Sequence, residues 1–90
     1  MWVITFKQNG KRLFICEGEC GYPYVTDNYI LNHFSSANEV CRYLDLLDEF
    51  DMWKNIHVSK SQVRVAKVTF NLSKKKIEKI NGNWRITKDE

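Results

Sequence analysis

Residues 2–16 read WVITFKQNGKRLFIC, two runs of β-forming side chains around Asn9-Gly10. An Asn-Gly pair supplies the two positive φ angles of a type I′ turn, whose twist matches that of the strands it joins, so the stretch predicts a β-hairpin. Side chains alternate across a strand. Trp2, Ile4 and Phe6 therefore share one face, and in the second run Leu13 and Ile15 oppose Phe14 and Cys16. One face of this hairpin has to be covered by apolar side chains from elsewhere in the chain.

A helix supplies the cover. Ser36 followed by Glu39 is a capping box, in which the serine hydroxyl accepts the Glu39 amide and the glutamate reaches back to the Ser36 amide. Ala37, Val40, Leu44 and Leu47 recur at helical spacing, with Tyr43 and Phe50 on the flank and Glu39, Arg42, Asp45, Asp48 and Glu49 turned to water. A helix is predicted from Ser36 to about Phe50 or Trp53. Between hairpin and helix, YPYVTDNYIL is broken by Pro23 and Asp27-Asn28 and reads as loop with a short edge strand.

Beyond the helix, Val63 and Val65 lie on one face and Ala66, Val68, Phe70 and Leu72 on the other. That change of phase predicts a bulge or a strand buried on both faces. Turns at Ser73 to Lys75 and at Asn81-Gly82-Asn83 complete a three-stranded meander, although SKKKIEKI also fits a short helix. The expected fold class is α+β: an N-terminal β-hairpin, one central α-helix and a C-terminal antiparallel β-meander in a mostly antiparallel sheet.

Ninety residues close one hydrophobic core, so residues 1–90 are read as a single domain, and 43% apolar content with a single proline is the composition of a globular chain. No apolar run reaches the roughly 18 residues of a membrane span, and MWVITFKQNG lacks the basic and apolar regions of a signal peptide. The expectation is a cytoplasmic protein with no membrane contact, as a monomer or weak dimer. Its cysteines would then stay reduced, which disfavours a disulfide.

That bears on FICEGECGY, residues 14–22, where two cysteines stand four positions apart. Zinc takes four tetrahedral ligands from thiolate and imidazole, and Cys16, Cys20, Cys41 and His33 make one such set, with His57 in reserve. A structural zinc there would pin the hairpin end to the helix. The alternative is a plain loop and a cysteine packed at a core edge.

Catalytic signatures are missing: there is no phosphate loop, no nucleophile elbow, no H-E-x-x-H and no glycine-rich dinucleotide turn. The expectation is a protein that is not an enzyme. Charge is divided along the chain. Residues 1–53 carry four basic and eight acidic side chains, whereas residues 54–90 carry ten basic and three acidic ones. The basic half, with Lys60, Arg64, Lys67, Lys74, Lys75, Lys76, Lys79 and Arg85 interleaved with Phe70 and Trp84, is a candidate nucleic-acid surface. Asp45, Asp48, Glu49 and Asp51 around Phe50 and Trp53 are the candidate partner-binding patch for a basic protein. Acids at a helix C-terminus oppose its dipole, which hints that they serve a purpose.

MWVITFKQNGKRLF followed by NHFSSANEVCRYLDLL and a basic β-rich tail resembles the small accessory proteins of bacteriophages of Gram-positive hosts, which pair an N-terminal hairpin with an F-x-[ST]-x-x-E-[AV] helix. Such proteins include anti-CRISPR inhibitors of type II-A RNA-guided nucleases. The resemblance implies a non-enzymatic inhibitor that binds a host nuclease such as Cas9, with the acidic patch competing for a basic nucleic-acid channel. The competing expectation is a basic nucleic-acid-binding accessory protein that works through the C-terminal sheet.

Overall fold

The chain's first strand lies in the middle of its sheet. In a computed structural model that describes residues 1–28, 33–68 and 72–89, the strands are β1 (Trp2–Gln8), β2 (Lys11–Glu17), β3 (Pro23–Thr26), β4 (Arg64–Val68), β5 (Leu72–Ile80) and β6 (Asn83–Asp89). They form one sheet in the order β3-β2-β1-β4-β5-β6, and every pairing is antiparallel. The one α-helix among the described residues, α1 (Ala37–Glu49), connects the two halves. The α+β architecture expected from the sequence is therefore the observed one: N-terminal hairpin, central helix, C-terminal meander.

Two Asn-Gly turns set the registers. Asn9 and Gly10 have φ of 52° and 78°, and Asn81 and Gly82 have 52° and 82°, the doubly left-handed geometry of type I′ turns. The first pairs Gln8 with Lys11 and carries Ile4 opposite Ile15; the second pairs Ile80 with Asn83 and carries Lys79 opposite Trp84. The two hairpin units then join through β1 and β4, with Ile4 opposite Val65.

The helix starts where the capping box indicates. Ser36 is the N-cap, and its hydroxyl accepts the Glu39 amide at 3.2 Å. The return bond differs by one residue: Glu39 Oε2 accepts from the Ser35 amide at 3.0 Å, and the Ser35 hydroxyl together with that amide holds the Glu39 carboxyl below its usual value. From there Val40, Tyr43, Leu44 and Leu47 bury against Ile4, Phe6, Ile15, Val63, Val65, Ile77 and Trp84. On the far face of the sheet, Val3, Phe14, Cys16 and Ala66 form a second, smaller cluster.

Of the two readings of the phase change near Val65-Ala66, the strand buried on both faces is the observed one: β4 is central, with Val65 under the helix and Ala66 in the far cluster. A register shift occurs instead at Lys76/Ile77, in the pairing of β5 with β6. Ser73 to Lys75 is strand rather than turn, and SKKKIEKI is strand rather than helix, because both fall within β5. Phe70 lies outside the described residues. Among the described residues no helix is long and apolar enough to cross a membrane.

Leu44 is fully buried between helix and sheet, so Leu44→Ala is expected to lower unfolding free energy by about 2–5 kcal/mol through lost transfer energy and a residual cavity. Urea denaturation followed by circular dichroism measures this, and a loss under about 1 kcal/mol is incompatible with the packing described.

Candidate functional site

The acids at the end of α1 do not all face water. The helix closes at Phe50, and Asp51 then takes the left-handed conformation, φ 53°, that ends a helix and turns the chain. The short 3-10 turn Met52–Asn55 follows and returns Trp53 beneath the helix, where it is only 6% exposed. A buried indole needs an acceptor for its N–H. Asp48 Oδ1 provides one, 2.7 Å from Trp53 Nε1, and the same oxygen accepts from Lys60 Nζ at 3.0 Å.

The other carboxylate oxygen repeats the arrangement toward the meander. Asp48 Oδ2 accepts from Trp84 Nε1 at 2.9 Å and from Lys79 Nζ. Lys60 Nζ lies 5.6 Å from the Trp53 ring centroid and Lys79 Nζ lies 5.8 Å from that of Trp84, so each lysine also rests over the indole whose N–H shares its oxygen. Burial would raise the Asp48 carboxyl, but hydrogen bonds from Lys79, Lys60, Trp53 and Trp84 outweigh it and hold the group below its ordinary value. The two ammonium groups also answer the negative end of the helix dipole. One turn earlier, Asp45 Oδ1 accepts the backbone N–H of Trp84 at 3.0 Å.

Of the candidate partner-binding residues, Asp45, Asp48 and Trp53 are therefore engaged in holding the helix to its neighbours. Glu49 and Asp51 are exposed, and Asp51 pairs with Lys54 at 3.5 Å. Phe50 is 62% exposed.

The metal candidates are placed apart. The alternation that puts Ile15 under the helix puts Cys16 on the far face of the sheet with Val3, Phe14 and Ala66, while Cys41 packs against the helix-side core. Burial raises both thiols above their ordinary values. Cys20, His33 and His57 are exposed. Among the described residues no three His, Cys, Asp or Glu side chains are gathered as a metal ion would require.

What the cysteine loop does is form a closed turn against the helix. Gly18 N–H donates to Tyr22 O at 2.8 Å, and Tyr22 N–H donates to Glu19 O at 3.1 Å. The turn is tight at Gly18, where a Cβ would meet Tyr22 O and the Tyr24 ring at 3.0 Å. The Tyr43 hydroxyl donates to Gly21 O at 2.8 Å and ties the loop to α1, and burial pushes that phenol well above its ordinary value. Held this way, Tyr22 is 59% exposed and lines a shallow groove of about 360 Å³ with Cys20, Phe50 and Met52.

Phe50 was within reach of sequence reasoning as the aromatic at the acidic helix end. Tyr22 and Met52 were not, because loop residues carry no periodicity to assign their direction. The Asp48 assembly did leave a trace: a buried tryptophan needs an acceptor for its N–H, and Trp53 directly follows the acid-rich end of the helix. Comparison with protein-family profiles, with curated proteins and with solved structures found no match to the chain.

Asp48→Asn removes the charge from both lysines and turns an NH₂ toward donors, so a loss of about 2–4 kcal/mol is expected in denaturant unfolding at neutral pH. Because the folded carboxyl lies below its ordinary value, this contribution is complete above the unfolded value of about 3.9 and is lost as pH falls through the folded one. The stability gap between wild type and variant is therefore expected to close on acidification below about pH 4, and a gap that stays constant to pH 2 contradicts the assignment.

Proposed function

We propose that this chain is a non-enzymatic binding module that inhibits a host-defence nuclease, as anti-CRISPR proteins do, by setting an acidic, aromatic face on a basic nucleic-acid-binding surface of an enzyme such as Cas9. The observation that supports this reading is the exposure of Tyr22 and Phe50 in one groove, the two most exposed aromatic rings among the described residues, with Tyr24 next at 39%, in a chain that buries Phe6, Phe14, Phe34, Tyr43, Trp53 and Trp84. Exposed aromatics grouped among charges are the usual anchors of a protein interface. Glu49 and Asp51 flank Phe50 in sequence, Glu19 lies three residues before Tyr22, and all three are exposed. A nuclease that holds a guide-target duplex lines its channel with positive charge, and an acidic face can compete for it.

This reading needs no zinc at Cys16, Cys20, His33 and Cys41, since the Tyr43 hydroxyl already ties the loop to the helix. The alternative, nucleic-acid binding by the basic half, draws less support from the geometry. Lys60 and Lys79 are both held by Asp48, which offsets one of their two charges, and Trp84 is 9% exposed with its N–H engaged, so it offers no ring for a base to stack on.

The test is charge reversal at Glu19, Glu49 and Asp51, together with Phe50→Ala, in a chain verified as folded by circular dichroism. Co-purification with a type II-A nuclease and inhibition of its DNA cleavage are expected to weaken at least tenfold. Unchanged binding in that variant, with loss instead on reversing Lys74, Lys75 and Lys76, replaces this reading by the nucleic-acid one.

A further inference from the structure

The Tyr22–Phe50 groove is one half of a longer feature. A second depression of about 330 Å³ is lined by Glu17, Phe34, Glu39, Arg42, Tyr43 and Leu46. The first is formed by Cys20 and Tyr22 of the loop that follows β2 with Phe50 and Met52 beyond the end of α1, and the second by Glu39, Arg42, Tyr43 and Leu46 of α1 with Phe34 and Glu17, the last residue of β2. Leu46 and Phe50 are one helical turn apart and Glu17 and Cys20 three residues apart, which makes the two depressions neighbours. From Glu39 to Phe50 the helix advances about 16 Å at 1.5 Å per residue. That is the length of about five residues of extended chain.

Shape and charge together select an occupant. Both depressions offer apolar or aromatic side chains: the buried Phe34 and Tyr43 with Leu46 at one end, the exposed Tyr22 and Phe50 with Met52 at the other. Glu17 and Glu39 line the second depression with Arg42, the exposed Glu19 and Glu49 are the sequence neighbours of Cys20 and Phe50, and Asp51 and Lys54 offset each other. The flank is thus anionic on a chain whose net charge is +3. A peptide in β conformation presents alternate side chains to opposite sides, so apolar residues can enter the groove while arginines reach the carboxylates. An arginine is also the side chain that stacks on exposed rings such as Tyr22 and Phe50.

We infer that this groove binds an extended, arginine-containing segment of the partner, of alternating basic and apolar character, rather than a flat basic surface. The inference rests on the reading of this face as the binding face and specifies how the partner is recognised. Binding then depends on aromatic contact and charge jointly, so neither a polylysine-like surface nor an apolar peptide suffices.

The experiment titrates a labelled ten-residue peptide of alternating arginine and leucine into the intact chain at about 50 mM salt, with a glutamate-leucine peptide as control. Fluorescence anisotropy reports binding and amide chemical shifts report position. The basic peptide is expected to bind and to shift Cys20, Tyr22, Leu46 and Phe50, and the acidic one to leave them unmoved. Phe50→Ala is expected to weaken binding about tenfold, and Glu19→Lys with Glu49→Lys at least tenfold; all three positions are exposed, and retained circular dichroism confirms folding. Binding that shifts only residues outside the groove, or that survives these substitutions, overturns the inference. So does absence of peptide binding while the nuclease is still captured, an outcome that leaves the binding-module reading standing. Peptide binding in the groove with no nuclease captured supports the inference and removes the nuclease as target.

Discussion

One carboxylate joins most of this molecule. Asp48 receives an indole N–H and an ammonium on each of its two oxygens, from Trp53 and Lys60 on one side and from Trp84 and Lys79 on the other. The donors come from the turn after the helix, the approach to β4, and both strands of the last hairpin. At 13% exposure the side chain is largely withdrawn from water, where an ion is tolerated only when its hydrogen-bonding capacity is filled. The four donors meet that condition together. Removing any one leaves an imbalance near the others, which is why these five residues are best regarded as a single interaction.

This arrangement reorganises the division of charge along the chain. The acidic first half and the basic second half meet at Asp45 and Asp48, where part of each is neutralised in building the fold. What remains for a partner is whatever the fold does not use. On the acidic side this is the flank bearing Glu19, Glu49, Tyr22 and Phe50, which makes no structural demand on the helix-sheet packing. On the proposed reading, binding and stability fall to opposite sides of one helix: Asp45 and Asp48 bond to Trp84 of β6, and Leu46 and Phe50 line the two depressions.

Much of the fold was legible because it rests on local rules. Asn9-Gly10, Asn81-Gly82, the Ser36–Glu39 capping box and the alternation along β1 each fix geometry within a few residues, and the structure follows them. The partition of acids between interior and surface depends on contacts made across long stretches of chain, Asp48 with Trp84 above all, and helical periodicity gives no sign of these. The cysteines show the reverse case. Strand parity already separated Cys16 from Ile15, so once Ile15 lies under the helix, Cys16 is carried to the other side of the sheet from Cys41. Tyr22 was illegible for a simpler reason: its exposure follows from a closed loop whose tie, the Tyr43 hydroxyl, lies 21 residues away in sequence.

The bond from the Trp84 amide to Asp45 has a consequence for the company this protein keeps with copies of itself. An open sheet ends in two strands whose outward N–H and C=O groups invite another strand to add on, and repeated addition leads to aggregates. Here the ends are β3 and β6. β3 is four residues long and begins with Pro23, which has no N–H to offer. β6 is longer, but at Trp84 its amide is already taken by a carboxylate from the helix, and Arg85 next to it carries a positive charge that an identical strand would have to approach. The residue that helps seat the helix therefore also blunts the sheet against its own propagation.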